Sequence, residues 1–332
     1  MKILIIRFSS FGDVVLSTPV PRLLKNKYPE SVIHFITKKE YSSIYNNNNY
    51  VDKVIKFEKN LYQTYIKLRN EKYNLIIDLH NNLRSNYLKL LLFKRSYTYD
   101  KQFFKRWLVT NFKLNLKIKH IASSYIETLR GLNIDDDRMG LDFYIDENNK
   151  IFKKDLPISH RNGFYSFVMG AKHFTKRLPV KKIIELCDKI NKPIILIGGK
   201  DEISNSLKVE NFFKSRNTDY GNIARTLDKK TIIYNLCGKL SINQSASIIQ
   251  ASKAVYTNDT GFMHVAAAFK KRVIAIFGST HPNLGFYPYK TNFFIYQNNK
   301  LSCRPCTKIG LSRCPLKHFK CMNEIKFEDV IL

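Results

Sequence analysis

At four places an apolar run ends in a loop whose residue types could do chemistry. The first, SSFGDVV, sets Asp13 just after the run KILIIRF. A carboxylate held there can take a proton as a general base. It can equally cap a helix starting near Val14, with Gly12 easing the turn. The second loop, TNDTGFMHVAAAF, passes from strand to helix through Asp259, Thr260 and Gly261, with His264 one turn further on. Open N–H groups and the helix dipole suit a diphosphate there, and Gly261 lets a ligand approach the backbone. The plainer alternative has Asp259 as the helix cap and His264 as a packed residue. Asp-Thr-Gly is also the triplet of aspartic proteases, but here it occurs once and runs straight into a helix, which excludes that chemistry.

The third loop, GAKHFTKRLPV, carries Lys172, His173, Thr175, Lys176 and Arg177 ahead of a helix opened by Pro179. Hydroxyl and ammonium donors beside a helix start suit a phosphate, although each Lys taken singly reads as solvated surface. The fourth, IGGKDE, follows a strand with Asp201 and Glu202, either of which could accept from ribose hydroxyls. The dinucleotide fingerprint G-x-G-x-x-G is absent from SSFGDVV.

The elements that must hold these loops repeat a simple pattern. Strands are expected at Lys2–Phe8, Ser31–Thr37, Val51–Phe57 and Tyr73–His80, then at Phe164–Gly170, Pro193–Gly199, Thr231–Gly238, Lys253–Asp259 and Arg272–Gly278. Helical spacing covers Val14–Lys27, with Pro19 and Pro21 disturbing its first turns, and also Val180–Ile190, Ile242–Ala251 and Met263–Phe269. Near-continuous Ile, Leu and Val strands alternating with helices imply parallel sheets covered on both faces. The polar stretch from Asp135 to Asn162 divides the chain. The expectation is an α/β protein of two doubly wound domains, residues 1–155 and 160–332, with a ligand cleft between them.

Composition narrows the partners. With 44% hydrophobic residues the chain can build two cores, and no run approaches the ~20 apolar residues of a membrane span. The start lacks a signal-peptide pattern, so the expected location is cytoplasmic. The 56 basic against 27 acidic residues give +29, a field that attracts polyanions. Nucleic acid is one candidate, but no recognition motif or aromatic stacking array accompanies the charge, and an anionic lipid surface is another. Cys187 and Cys237 lie in apolar contexts and read as inert core. Cys303, Cys306, Cys314 and Cys321 crowd into the tail with a first pair spaced C-x2-C. Such thiols suit a structural zinc, with His318 as a substitute ligand, but the second pair departs from that spacing, so a metal-free tail stays open.

Together the segments ILIIRFSSFGDVVLSTPV, GAKHFTKRLP, IGGKDE, GKLSI and TNDTGFMHVAAA followed by IAIFGSTHP resemble glycosyltransferase family nine, the ADP-heptose:lipopolysaccharide heptosyltransferases. The resemblance runs through nearly the whole chain in order. It implies the GT-B fold, with two Rossmann-like domains facing a central cleft, the acceptor in the N-terminal one and the donor in the C-terminal one. By the same resemblance Asp13 is the general base of an inverting transfer, and Lys176, beside Thr175, meets the donor diphosphate. Asp259, Thr260, Gly261 and His264 form the donor element, and Leu240 lies against adenine. The resemblance further implies ADP-heptose as the donor, no required metal or other cofactor, and a phosphorylated glycolipid acceptor at the inner face of the plasma membrane.

The acceptor side is less diagnostic. Ser10, Gly12 and Arg84 are its candidates, and KQFFKRW (Lys101 to Trp107) reads as a surface helix before it reads as a glycolipid contact. Leu178 and Phe262 stand where the family often has Trp and Pro, which alters the packing expected around the donor. The alternatives are another nucleotide sugar or acceptor on the same fold, and a basic nucleic-acid-binding protein.

Overall fold

The computed structural model describes residues 1–58, 60–219 and 231–328, and the side chains of 217–219 are left aside. The chain divides into two compact units, Met1–Lys105 with Lys117–Asp146, and Arg106–Leu116 with Glu147–Leu332.

The first unit holds a five-stranded sheet: β1 (Lys2–Ile6), β2 (Val32–Lys38), β3 (Lys53–Phe57), β4 (Leu75–Asp78) and β5 (Arg95–Thr98), in the order β3-β2-β1-β4-β5. Every pairing is parallel, with Ile3 opposite Ile33 on one side and Leu75 on the other. Residues Ile3 to Ile6 have no exposed surface, the reason β1 reads as an unbroken apolar run.

The second unit holds six strands: β6 (Tyr165–Val168), β7 (Ile194–Ile197), β8 (Ile233–Asn235), β9 (Ala254–Asn258), β10 (Arg272–Phe277) and β11 (Phe293–Gln297). Their order is β11-β10-β9-β6-β7-β8, again parallel throughout. Apolar clusters cover both faces of this sheet, one built around Phe167, Leu186 and Tyr256, the other around Val168, Ile248 and Phe277.

In a doubly wound sheet, ligands bind outside the carboxyl ends of the strands where the order reverses. That switch lies between β1 and β4 in the first unit and between β6 and β9 in the second. The segments that follow these four strands hold Asp13, His80, Lys176 and Asp259.

The expected helix over Val14–Lys27 is two helices, Phe11–Leu16 and Pro19–Lys27. Proline at position 19 has no N–H to continue the first and is well placed to start the second. Gly12 is not in a tight turn but inside the first turn of the Phe11–Leu16 helix. Asp137 and Asp142, within the polar stretch Asp135 to Asn162, grip the buried Arg22 of the second helix, Asp137 at 2.7 Å. Arg106, in the KQFFKRW stretch, is likewise buried, its Nη1 donating to the Leu284 carbonyl at 2.6 Å within the second unit. Among the described residues no helix is long and apolar enough to cross a membrane.

Candidate functional site

Asp13 does not cap its helix as the Ncap residue. The helix begins at Phe11, Ser10 is the Ncap in extended conformation, and Asp13 is the third helical residue. From there its carboxylate reaches back to the Ser10 backbone N–H at 3.2 Å, the returning half of a capping box. The same oxygen, Oδ2, accepts from the Ser10 hydroxyl at 2.7 Å and from Arg7 Nη2 at 2.8 Å. Among the described residues the other oxygen, Oδ1, takes one long contact, from the Tyr125 hydroxyl at 3.3 Å. Three donors thus converge on one oxygen of the carboxylate and a single, longer one on the other.

Arg7 is fixed as firmly. It leaves the end of β1 with Nη1 on the Leu79 carbonyl at 2.6 Å, and its guanidinium lies 5.4 Å from the Tyr125 ring centroid. Burial pushes the Asp13 carboxyl up, but Arg7 and the Ser10 donors outweigh it and hold it below the usual carboxylate range. Asp13 is thus ionised at neutral pH and is a weak base by equilibrium, so its value in a reaction must come from position. Beside it, burial and the Arg7 charge push His80 down to about 4, leaving a neutral imidazole. Ser10 and Arg84 are exposed, and Arg84 sits at the start of the Leu83–Leu92 helix.

In the second unit, Lys176 Nζ and Asp259 Oδ2 form an ion pair at 2.7 Å across the switch point, and the Thr280 hydroxyl donates to the same oxygen at 2.7 Å. Asn258 ties the two loops together, donating to the Met169 carbonyl at 2.7 Å and accepting from the Leu178 N–H at 3.2 Å. Thr260, not Asp259, is the Ncap of the helix Gly261–Ala268, in which His264 is buried. Asp259 is thereby released from capping and serves the lysine.

Thr175 is enclosed rather than open to a ligand. Its hydroxyl accepts from Ser279 Oγ and from the Leu311 N–H, each at 2.8 Å, and donates to the Leu311 carbonyl at 3.1 Å. The two acids of IGGKDE also part ways. Glu202 is buried, accepting from the Gly199 N–H at 2.9 Å with Arg177 at 3.5 Å, whereas the Asp201 side chain is 82% exposed. Leu240 is half-buried and, like Phe262, packs against the cluster around Val168, Ile248 and Phe277.

The tail frames this site. Arg304 is buried and donates to the carbonyls of Gly278 at 2.5 Å and Thr280 at 2.9 Å, so it fixes the loop that carries Ser279 and Thr280. The four tail cysteines are free thiols. Burial pushes Cys321 up to about 12. Among the described residues no group of three or more His, Cys, Asp or Glu is arranged to hold a metal ion.

Sequence reasoning missed Arg7, Tyr125, Thr280 and Arg304. A charged residue closing a buried strand was a signal for Arg7. Tyr125, 112 residues from Asp13, had none.

The model of glycosyltransferase family 9 (heptosyltransferase) matches residues 62–317. A curated relative, lipooligosaccharide heptosyltransferase 2 of Campylobacter jejuni, is 36% identical over 99 residues, which is 30% of this chain and 30% of that protein. The chain thus aligns with under a third of that relative's length. Among solved structures, E. coli ADP-heptose lps heptosyltransferase II superposes with a TM-score of 0.68 at 20% identity, covering 98% of both chains. E. coli heptosyltransferase WaaC with ADP-2-deoxy-2-fluoro heptose gives 0.62 at 20% identity, covering 89% of this chain and 92% of that one. These likenesses establish the fold class as GT-B, built here from two Rossmann-like sheets.

Proposed function

Because the chain belongs to glycosyltransferase family 9 (heptosyltransferase), we propose that it transfers a heptose from ADP-heptose to a lipopolysaccharide inner-core acceptor, with inversion. The observation that carries this reading is the pair of ionised clusters at the two switch points. One is an acid with three donors on Oδ2 and only a long contact on Oδ1 among the described residues, the other a lysine held by a carboxylate beside a helix N-terminus.

In the proposed reaction Asp13 Oδ1 accepts the proton of an acceptor hydroxyl. The hydroxyl oxygen bonds to the anomeric carbon as the bond from that carbon to the diphosphate oxygen breaks on the opposite face, and ADP leaves. Arg7 keeps Asp13 ionised before the proton arrives and keeps Oδ2 out of the reaction. Lys176 turns from Asp259 to the diphosphate, where its charge and the N–H groups at Gly261 stabilise the departing ADP. Arg177 with Glu202 shapes the ribose side, Asp201 lies at its exposed edge, and Leu240 offers an apolar surface to adenine. Charge neutralisation by these groups makes the transfer independent of a divalent cation. The acceptor belongs to a phosphorylated glycolipid, which places the enzyme in the cytoplasm and peripherally on the inner face of the plasma membrane.

Titration calorimetry against ADP-, UDP- and GDP-sugars, followed by mass spectrometry of transfer to a delipidated core oligosaccharide, tests the reading. ADP-heptose is expected to bind and to yield a product heavier by one heptose. Preferential binding of a UDP- or GDP-sugar would overturn the donor assignment.

A further inference from the structure

The helix Leu83–Leu92 has two apolar faces, and only one of them is needed by the fold. Ser85 and Leu88 are buried, and Leu92 packs on the cluster around Leu4, Ile6 and Phe57. On the other side Leu83, Tyr87 and Leu90 recur at intervals of four and three, a helical stripe, with exposures of 88%, 40% and 73%. The chain then turns at Phe93, which is 89% exposed. Phe93 adopts a left-handed conformation, φ 47°, at a position where helices ordinarily place glycine or asparagine. The fold thus bears the cost of that conformation and presents the ring to solvent, where it contributes nothing to the core.

Charge selects the occupant of this face. From Leu79 to Tyr99 the chain has no acidic residue, while Arg84, Lys94 and Arg95 flank the stripe. Among the described residues neither Arg84 nor Lys94 pairs with a carboxylate, in contrast to Lys89, which is held by the buried Asp78 at 2.8 Å. A second copy of the chain is disfavoured, because a two-fold contact would set these cations against each other. An apolar stripe rimmed by cations that, among the described residues, meet no carboxylate matches an anionic bilayer, with the rings and leucines in the acyl boundary and the cations at the headgroups.

We infer that the outer face of the Leu83–Leu92 helix, with Phe93, is a docking surface for anionic lipid. It builds on the peripheral membrane placement proposed above and supplies the surface that achieves it. Through it the unit carrying Asp13 would be held at the membrane where a lipid-borne acceptor resides.

The test is cosedimentation of the full chain with phosphatidylcholine vesicles, with and without roughly one third phosphatidylglycerol, alongside thermal unfolding. Wild type is expected to bind the anionic vesicles and to be released by salt. Phe93→Gly is expected to weaken binding by about tenfold or more while raising the unfolding temperature, since it loses an apolar anchor and relieves the backbone. Leu90→Ser is expected to weaken binding comparably, and Lys94→Gln by about fivefold. A purely structural role for Phe93 would move binding and stability together. Equal binding to both vesicle types, wild-type binding by Phe93→Gly and Leu90→Ser, or a dimer that these variants dissolve would each overturn the inference. Transfer to a delipidated acceptor, which needs no membrane, is measured in parallel and reports failure of the catalytic reading separately.

Discussion

Replacing Arg7 with methionine separates the two jobs given to that residue. The guanidinium is 2.8 Å from Asp13, and their side chains are only 9% and 17% exposed. Removing one partner of a largely buried ion pair leaves the other charge uncompensated, at a cost of about 3–5 kcal/mol. The loss has a definite pH dependence. Asp13 in the folded protein lies below its ordinary value of 3.8, so the pair's stabilisation is complete above that value and disappears as pH falls through the lower folded one. The stability gap between wild type and Arg7→Met is therefore widest near neutrality and closes below about pH 4. In the variant, burial of the carboxyl is opposed by Ser10 without Arg7, so its titration moves up. The assay is the pH profile of kcat/KM for ADP release, run with urea unfolding across the same range. The acid limb should move toward neutrality. A variant that loses stability but keeps the wild-type acid limb would show that Arg7 does not set the ionisation of the proposed base.

Further predictions concern the other groups. Lys176→Met should raise the KM for the nucleotide sugar by about 10–100-fold through loss of a charge-assisted contact, measured by steady-state kinetics. Gly310→Ala would place a Cβ 2.9 Å from the Lys176 Cδ at a φ of +97°, so it should raise donor KM several-fold and lower the unfolding temperature. His80 is neutral when folded, so between pH 6.5 and about 4 only the unfolded chain takes up its proton. Stability should fall by roughly 3 kcal/mol over that interval, and His80→Gln should flatten the slope in urea titrations. Chelation with EDTA should leave the transfer rate unchanged, since in the proposed transfer Lys176 and a helix N-terminus supply the charge that a cation would.

Much of this architecture was legible because burial on both faces forces a strand to be apolar from end to end. Ile3–Ile6, Ile194–Ile197 and Arg272–Phe277 announced themselves in that way. The strand Arg95–Thr98 did not, since it forms a sheet edge with little to bury and reads as RSYT. Helices Val180–Ile190 and Ile242–Ala251 matched their periodicity, one preceded by Pro179 and the other capped by Ser241. The candidate loops could be located from sequence because each follows the carboxyl end of a strand legible as an apolar run. Their internal partnerships could not be. Tyr125 on Asp13, Thr280 on Asp259 and Leu311 on Thr175 join residues 112, 21 and 136 positions apart, and only tertiary packing brings them together. The same packing reversed two local expectations, giving the Ncap positions to Ser10 and Thr260 rather than to the aspartates.

The central claim is that Asp13 Oδ1 takes the acceptor proton. It is tested most directly by the turnover of Asp13→Asn and Asp13→Ala with ADP-heptose and a delipidated acceptor, with donor binding measured by calorimetry on the same preparations. A fall in kcat of about 10²–10⁴-fold with donor affinity retained is expected. Turnover equal to wild type in either variant would contradict it.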